Sequence, residues 1–122
     1  LFIDDGVLST GSWQADGRGE ICERLSRRNA LDPALTFMRH HITSCDIEVH
    51  DVDSASGRSY FIVMTNAGLD RSGVYVDRFR CEAGSWRFAR REVRIDWIAK
   101  ASLLPPQPLR HSPHGGGRKW PM

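Results

Sequence analysis

The sequence has no apolar run approaching the ~20 residues that a membrane-spanning helix needs, and no basic-then-apolar leader at its start. It is also poor in cysteine. Cys22, Cys45 and Cys81 stand far apart and form neither a CxxC pair nor a zinc-ligand spacing. An odd number of isolated cysteines in a sequence without a leader pattern fits reduced, mostly buried thiols in a cytoplasmic protein. Charge of one sign is scarce as well, the formal net charge being +2. All 15 acidic residues precede residue 100, where 13 of the 17 basic residues also lie. The body is therefore faintly acidic, with its arginines interleaved among acids, which argues against a nucleic-acid surface.

What is present is a globular balance, 40% hydrophobic and 26% charged over 122 residues, enough for one domain. Residues 1–98 carry the periodic patterns. Residues 99–122 hold Lys100, Arg110, Arg118 and Lys119, with Pro105, Pro106, Pro108, Pro113 and a run of three glycines. That composition predicts a basic tail largely without a core of its own.

Asp4-Asp5-Gly6 predicts a turn, followed by a short strand through Val7 and Leu8, and residues 14–19 predict a loop. The spacing of Ile21, Cys22 and Leu25 predicts a helix over 19–29, acidic at its start and rich in arginine at its end. From Thr36 the period changes to alternation. Met38, His40 and Ile42 share one phase and Cys45, Ile47 and Val49 the other, so a β-bulge is expected near 43–44. A hairpin turn at 53–57 leads to an apolar strand over 59–66. Residues 67–72 predict a loop, and 73–81 alternate strictly. After a turn at Ala83-Gly84, a last strand over 85–97 slips phase at Arg90-Arg91. Four consecutive antiparallel strands with two slips predict a bent sheet with a concave face. One helix is too little cover for it, so further helical cover is expected from a segment before Leu1 or from a partner chain.

The ordered set Leu1-Phe2-x-Asp4-Asp5, Gly17-Arg18-Gly19-Glu20-Ile21 and Thr36-x-x-Arg39-His40-His41-Ile42-Thr43 resembles the SnoaL-like branch of the nuclear-transport-factor-2-like superfamily. So do Gly73-x-Tyr75-x-Asp77-Arg78-Phe79, Gly84-x-Trp86-Arg87-Phe88-Ala89-Arg90-Arg91 and Ile95-Asp96-Trp97. The resemblance runs from residue 1 to about 98. It implies an α+β fold: a cone-like, strongly curved antiparallel sheet with helical cover around a central pocket. Relatives usually begin with two more helices that carry a Tyr or Asp of the catalytic site.

The superfamily holds dehydratases, dehydrochlorinases, polyketide cyclases, isomerases, dioxygenase small subunits and plain binding modules, so the fold leaves function open. The resemblance places His40 at the position of the catalytic histidine of the scytalone dehydratase and hexachlorocyclohexane dehydrochlorinase branches. A histidine there takes and returns a proton near neutral pH, given an orienting carboxylate or tyrosine. Asp77 and Tyr75 are the candidates within this sequence. His40 reads equally as a core histidine, and Asp77 also as the ion-pair partner of a neighbouring arginine. One of Arg90 and Arg91 is expected to point inward, paired with Asp77 or Asp96 or with an anionic ligand.

Met38, Ile42, Tyr60, Tyr75, Phe79 and Arg91 are the candidate substrate-binding residues. His40 and His41 point to opposite sides of a strand, which argues against a shared metal. Two functions stay open: a cofactor-free lyase, isomerase or cyclase acting on a small apolar, aromatic or polyketide-like molecule, and a noncatalytic ligand-binding module or dioxygenase small subunit. The resemblance also implies a homodimer through the outer sheet face, using parts of strands 58–66 and 85–97.

Overall fold

The computed structural model describes residues 1–27 and 32–110. Among them are six strands and one α-helix in the order β1 Phe2–Ser9, β2 Gln14–Asp16, α1 Arg18–Ser26, β3 Met38–Val49, β4 Ser54–Thr65, β5 Gly68–Glu82 and β6 Ser85–Ile98. The strands form one curved, unclosed sheet in the order β2-β1-β6-β5-β4-β3. Strands β3 to β6 are an antiparallel meander, as their alternation predicts. No helix among the described residues is long and apolar enough to cross a membrane.

Several sequence expectations need correction. Asp4-Asp5-Gly6 is no turn but an irregularity inside β1, where the register against β6 shifts between Phe2 and Val7. β1 pairs parallel with β6, so the sheet is mixed rather than purely antiparallel. Residues 14–16 form a strand, not a loop, because a turn closed by Thr10 folds them back on β1. β5 begins at Gly68, inside the expected loop, and the hairpin it closes is shorter. The expected helix end at 28–29 and the tail beyond residue 110 lie outside the described residues.

The bulge near 43–44 is present, the register shifting between Ile42 and Ser44. The second slip falls at Ala89, one residue before the expected site, and Asp96 makes a third. Asp70 is the extra residue of a fourth, between β4 and β5. Each bulge adds twist and bends the sheet. At the β5–β6 hairpin, Ala83 and Gly84 both take positive φ, 50° and 76°, the geometry of a two-residue turn whose twist suits paired strands.

The core lies on the concave face in two clusters. Phe61, Val63, Tyr75 and Ile95 form one, and Leu8, Ala15 and Ile21 the other. Helix α1 covers the second cluster with Ile21, its one buried residue. Glu20 reaches back to accept from the Asp16 backbone N–H at 3.0 Å, fixing the entry to the helix. β3 is an edge strand with almost every residue exposed. Cys45 on that edge is therefore exposed, as is Cys22, and Cys81 is half-buried, contrary to the expectation of buried thiols.

Candidate functional site

Register decides which side chains meet. Residues paired across a ladder share a face of the sheet. His40 lies opposite the buried Val63, and Met38 opposite the buried Thr65. Tyr75 pairs with Ser59 and Val93, and Asp77 with Arg91. His41 lies opposite Ile62 on the other face.

These concave-face positions enclose a cavity of about 420 Å³. Phe61, Val63, Val93 and Ile95 supply its sheet wall, and Phe2 and Leu8 the wall from β1. Trp13, Arg24, Leu25 and Arg27 line the side next to α1. The Phe61 and Tyr75 rings stack at 4.2 Å, 15° from parallel. Gly73 lets the floor close: a Cβ there would sit 2.0 Å from the Arg94 carbonyl oxygen and 2.9 Å from the Phe61 ring.

Two arginines of this wall are held by buried carboxylates. The Arg91 Nε and Nη2 donate to the two carboxylate oxygens of Asp77, each at 2.8 Å. Its guanidinium lies 3.9 Å from the Tyr75 ring centre and 4.2 Å from that of Phe88. Arg91 is thus the inward-pointing arginine of the Arg90-Arg91 pair, and Asp77 sits behind it, buried and outside the cavity wall.

A second buried pair stands at the opposite end. Arg71 Nε donates to Asp70 at 2.8 Å, Nη1 to the Pro105 carbonyl at 3.1 Å and Nη2 to the Ser102 hydroxyl at 3.0 Å. Asp70 also accepts from the Ser102 hydroxyl and the Leu103 N–H, both at 2.9 Å. Burial alone would raise the Asp70 pKa, but the bonds from Arg71, Leu103 and Ser102 and the Arg71 charge hold it below the usual carboxylate value. This clamp ties residues 99–105 across the end of the sheet. Leu104, Pro105 and Gln107 thereby complete the cavity wall. Gln107 Oε1 is buried and accepts no hydrogen bond from the described residues.

Of the residues singled out in the sequence, Met38, His40, Tyr75 and Arg91 line the cavity. Ile42, Tyr60 and Phe79 lie outside it. Ile42 is on the exposed edge strand where the bulge turns the chain, and Tyr60 has the opposite phase to Phe61. Phe79 packs instead on Phe88, with ring centres 5.1 Å apart. Arg71, Leu104 and Gln107 were missed. The one available signal was that Arg71 shares its phase with Gly73 and Tyr75, and the loop reading of 67–72 concealed it. No group of three or more His, Cys, Asp or Glu side chains suited to a metal occurs among the described residues.

Residues 1–92 match the family model of the SnoaL-like domain. The chain belongs to that family. Its fold is similar to that of a protein of unknown function from Mycobacterium tuberculosis, at 32% identity and TM-score 0.67, over 80% of this chain and 57% of that one. This SnoaL-like chain therefore spans little more than half the length of that relative. A Novosphingobium aromaticivorans protein provisionally assigned as a scytalone dehydratase superposes with TM-score 0.73 at 21% identity, over 92% of this chain and 77% of that one. A hexachlorocyclohexane dehydrochlorinase from Novosphingobium barchaimii does so with TM-score 0.67 at 19% identity, over 87% and 77%. At these last two identities the likeness is one of fold. No curated sequence matches the SnoaL-like chain.

Proposed function

We propose that this SnoaL-like domain binds a small, largely apolar molecule in its concave cavity, and that His40 acts there as a general acid and base without a cofactor. The observation that carries the reading is the coincidence of His40 with an apolar cavity of about 420 Å³, the volume range of small-molecule sites. In this reading Tyr75 orients or shares the transferred proton. Asp77 acts through Arg91, which it holds in the wall. Lyase, isomerase and cyclase chemistry all need a proton shuttle beside the bound substrate, and His40, exposed on the edge strand β3, lines the cavity.

A second reading, a noncatalytic binding module, draws support from one observation. Both Asp77 oxygens are taken by Arg91, and among the described residues no carboxylate lines the cavity. A subunit of a larger assembly belongs with that second reading. A cytoplasmic location fits the three free thiols. Self-association through the outer face, where Tyr60 and Trp97 are each nearly half exposed, is part of either reading.

The test compares turnover of small aromatic and polyketide-like molecules by the native chain, His40→Ala and His41→Ala. Loss of about 10²–10⁴-fold in His40→Ala alone, with the fold intact, is expected of an acid–base group. Saturable binding with no turnover in any form supports the module. If no such molecule binds at all, both readings fall.

A further inference from the structure

The cavity wall has a charge asymmetry that its apolar character hides. Arg24, Arg27, Arg71 and Arg91 all line it, and no Asp or Glu does so among the described residues. The acids that balance three of these arginines stand back from the wall. Asp70 pairs with Arg71, Asp77 with Arg91 and Glu23 with Arg27. Arg71 has further donors spent on Ser102 and the Pro105 carbonyl.

Arg24 differs from the other three. It has no carboxylate partner among the described residues, and its guanidinium lies 5.3 Å from the centre of the Trp13 ring at the cavity rim. The sheet side of the cavity holds Phe61, Val63, Tyr75 and Val93 with the acid-paired Arg71 and Arg91, whereas the α1 side carries Arg24, exposed beside the Trp13 ring and without a carboxylate partner among the described residues. Low-dielectric walls focus such a field into the space between them. A cationic ligand would meet the Arg24 guanidinium and no acid among the described wall residues, which selects against it.

We propose that the ligand of this cavity is an apolar molecule carrying one anionic oxygen group, a carboxylate or its equivalent, seated on Arg24 beside Trp13 with its apolar body against Phe61 and Val93. The proposal rests on the small-molecule reading above and adds the charge class of the ligand. It makes Arg24 the residue that discriminates an acid from its neutral ester or parent.

Two fluorescent probes with one apolar body test it: anilinonaphthalene sulfonate, and phenylnaphthylamine, which lacks the sulfonate. Each is titrated into the native chain, Arg24→Gln and Arg87→Gln. Arg87 is an exposed arginine outside the cavity wall, so its variant carries the same loss of charge elsewhere. The anionic probe is expected to bind about fivefold tighter than the neutral one, the factor a single exposed ion pair supplies. Arg24→Gln should erase that preference and leave the neutral probe unchanged, while Arg87→Gln should keep it. Raising salt from about 20 mM to about 500 mM should shrink the preference in the native chain without any substitution.

Equal binding of the two probes to the native chain overturns the anionic assignment and leaves the cavity reading standing. Equal losses in the two arginine variants overturn it too, since general charge then explains the preference. If neither probe binds, the cavity reading itself fails.

Discussion

Asp77 and Arg91, neighbours across the β5–β6 ladder, form a two-pronged ion pair with both bonds at 2.8 Å. The pair converts a buried acid into a device that presents a guanidinium to the cavity, 3.9 Å from the Tyr75 ring centre. Removing the acid strands a charge, and a broken buried pair costs about 3–5 kcal/mol. Arg91 keeps some solvent contact, which places Asp77→Ala near the lower end. Urea unfolding should give a loss of about 3 kcal/mol, with Asp77→Ala, Arg91→Met restoring part of it. No loss in the single variant would mean that Arg91 finds another partner.

Asp70 links stability to acid. Its folded pKa lies below its ordinary value of 3.8. A depressed carboxylate contributes stability that is fully present above the ordinary value and is lost as pH falls through the folded one. Thermal unfolding should therefore show a drop in midpoint below about pH 4. Glu92, lowered by its bond from Arg94, adds to the same limb. Asp70→Asn should flatten that limb and lower stability at neutral pH. An acid limb of unchanged steepness in Asp70→Asn would refute the linkage.

Gly73 tolerates no side chain. A Cβ at 2.0 Å from a main-chain oxygen cannot be relieved by a rotamer change, because the obstacle is the β6 backbone itself. Gly73→Ala should cost about 3 kcal/mol or more, within the range of severe overpacking. It should also loosen the Phe61–Tyr75 stack, read as a change in near-UV circular dichroism. Wild-type stability in this variant would show that the bulge at Asp96 gives way without cost.

Gln107 spends stability on an unpaired oxygen. Leaving a buried acceptor without a donor costs about 1–3 kcal/mol, and an apolar replacement of similar size removes that cost. Gln107→Leu should raise the unfolding midpoint. Paired ligands that differ by one hydroxyl should then lose their discrimination, since a ligand hydroxyl is the natural donor to Oε1. A lowered midpoint would indicate that the amide is satisfied in solution.

Alternation in the sequence was enough to define four antiparallel strands, the bulge after Ile42 and the inward phase of Met38 and His40, because strand period and pleat are local properties. Helix α1 was legible for the same reason, its apolar residues recurring along one stripe. The tertiary structure alone decided what those elements face. Nothing local in residues 2–9 says that they pair parallel with β6, since the partner lies some eighty residues away and pairing is a long-range choice. Asp70 reads as a turn residue by type, yet it is a buried acid at a bulge, because Arg71, Ser102 and Leu103 converge on it. The same convergence turns a proline-rich stretch that forms no core of its own into the last wall of the cavity. Sequence period set each side chain's phase, and the pairing of Arg91 with Asp77 behind the cavity wall was decided by packing between β5 and β6.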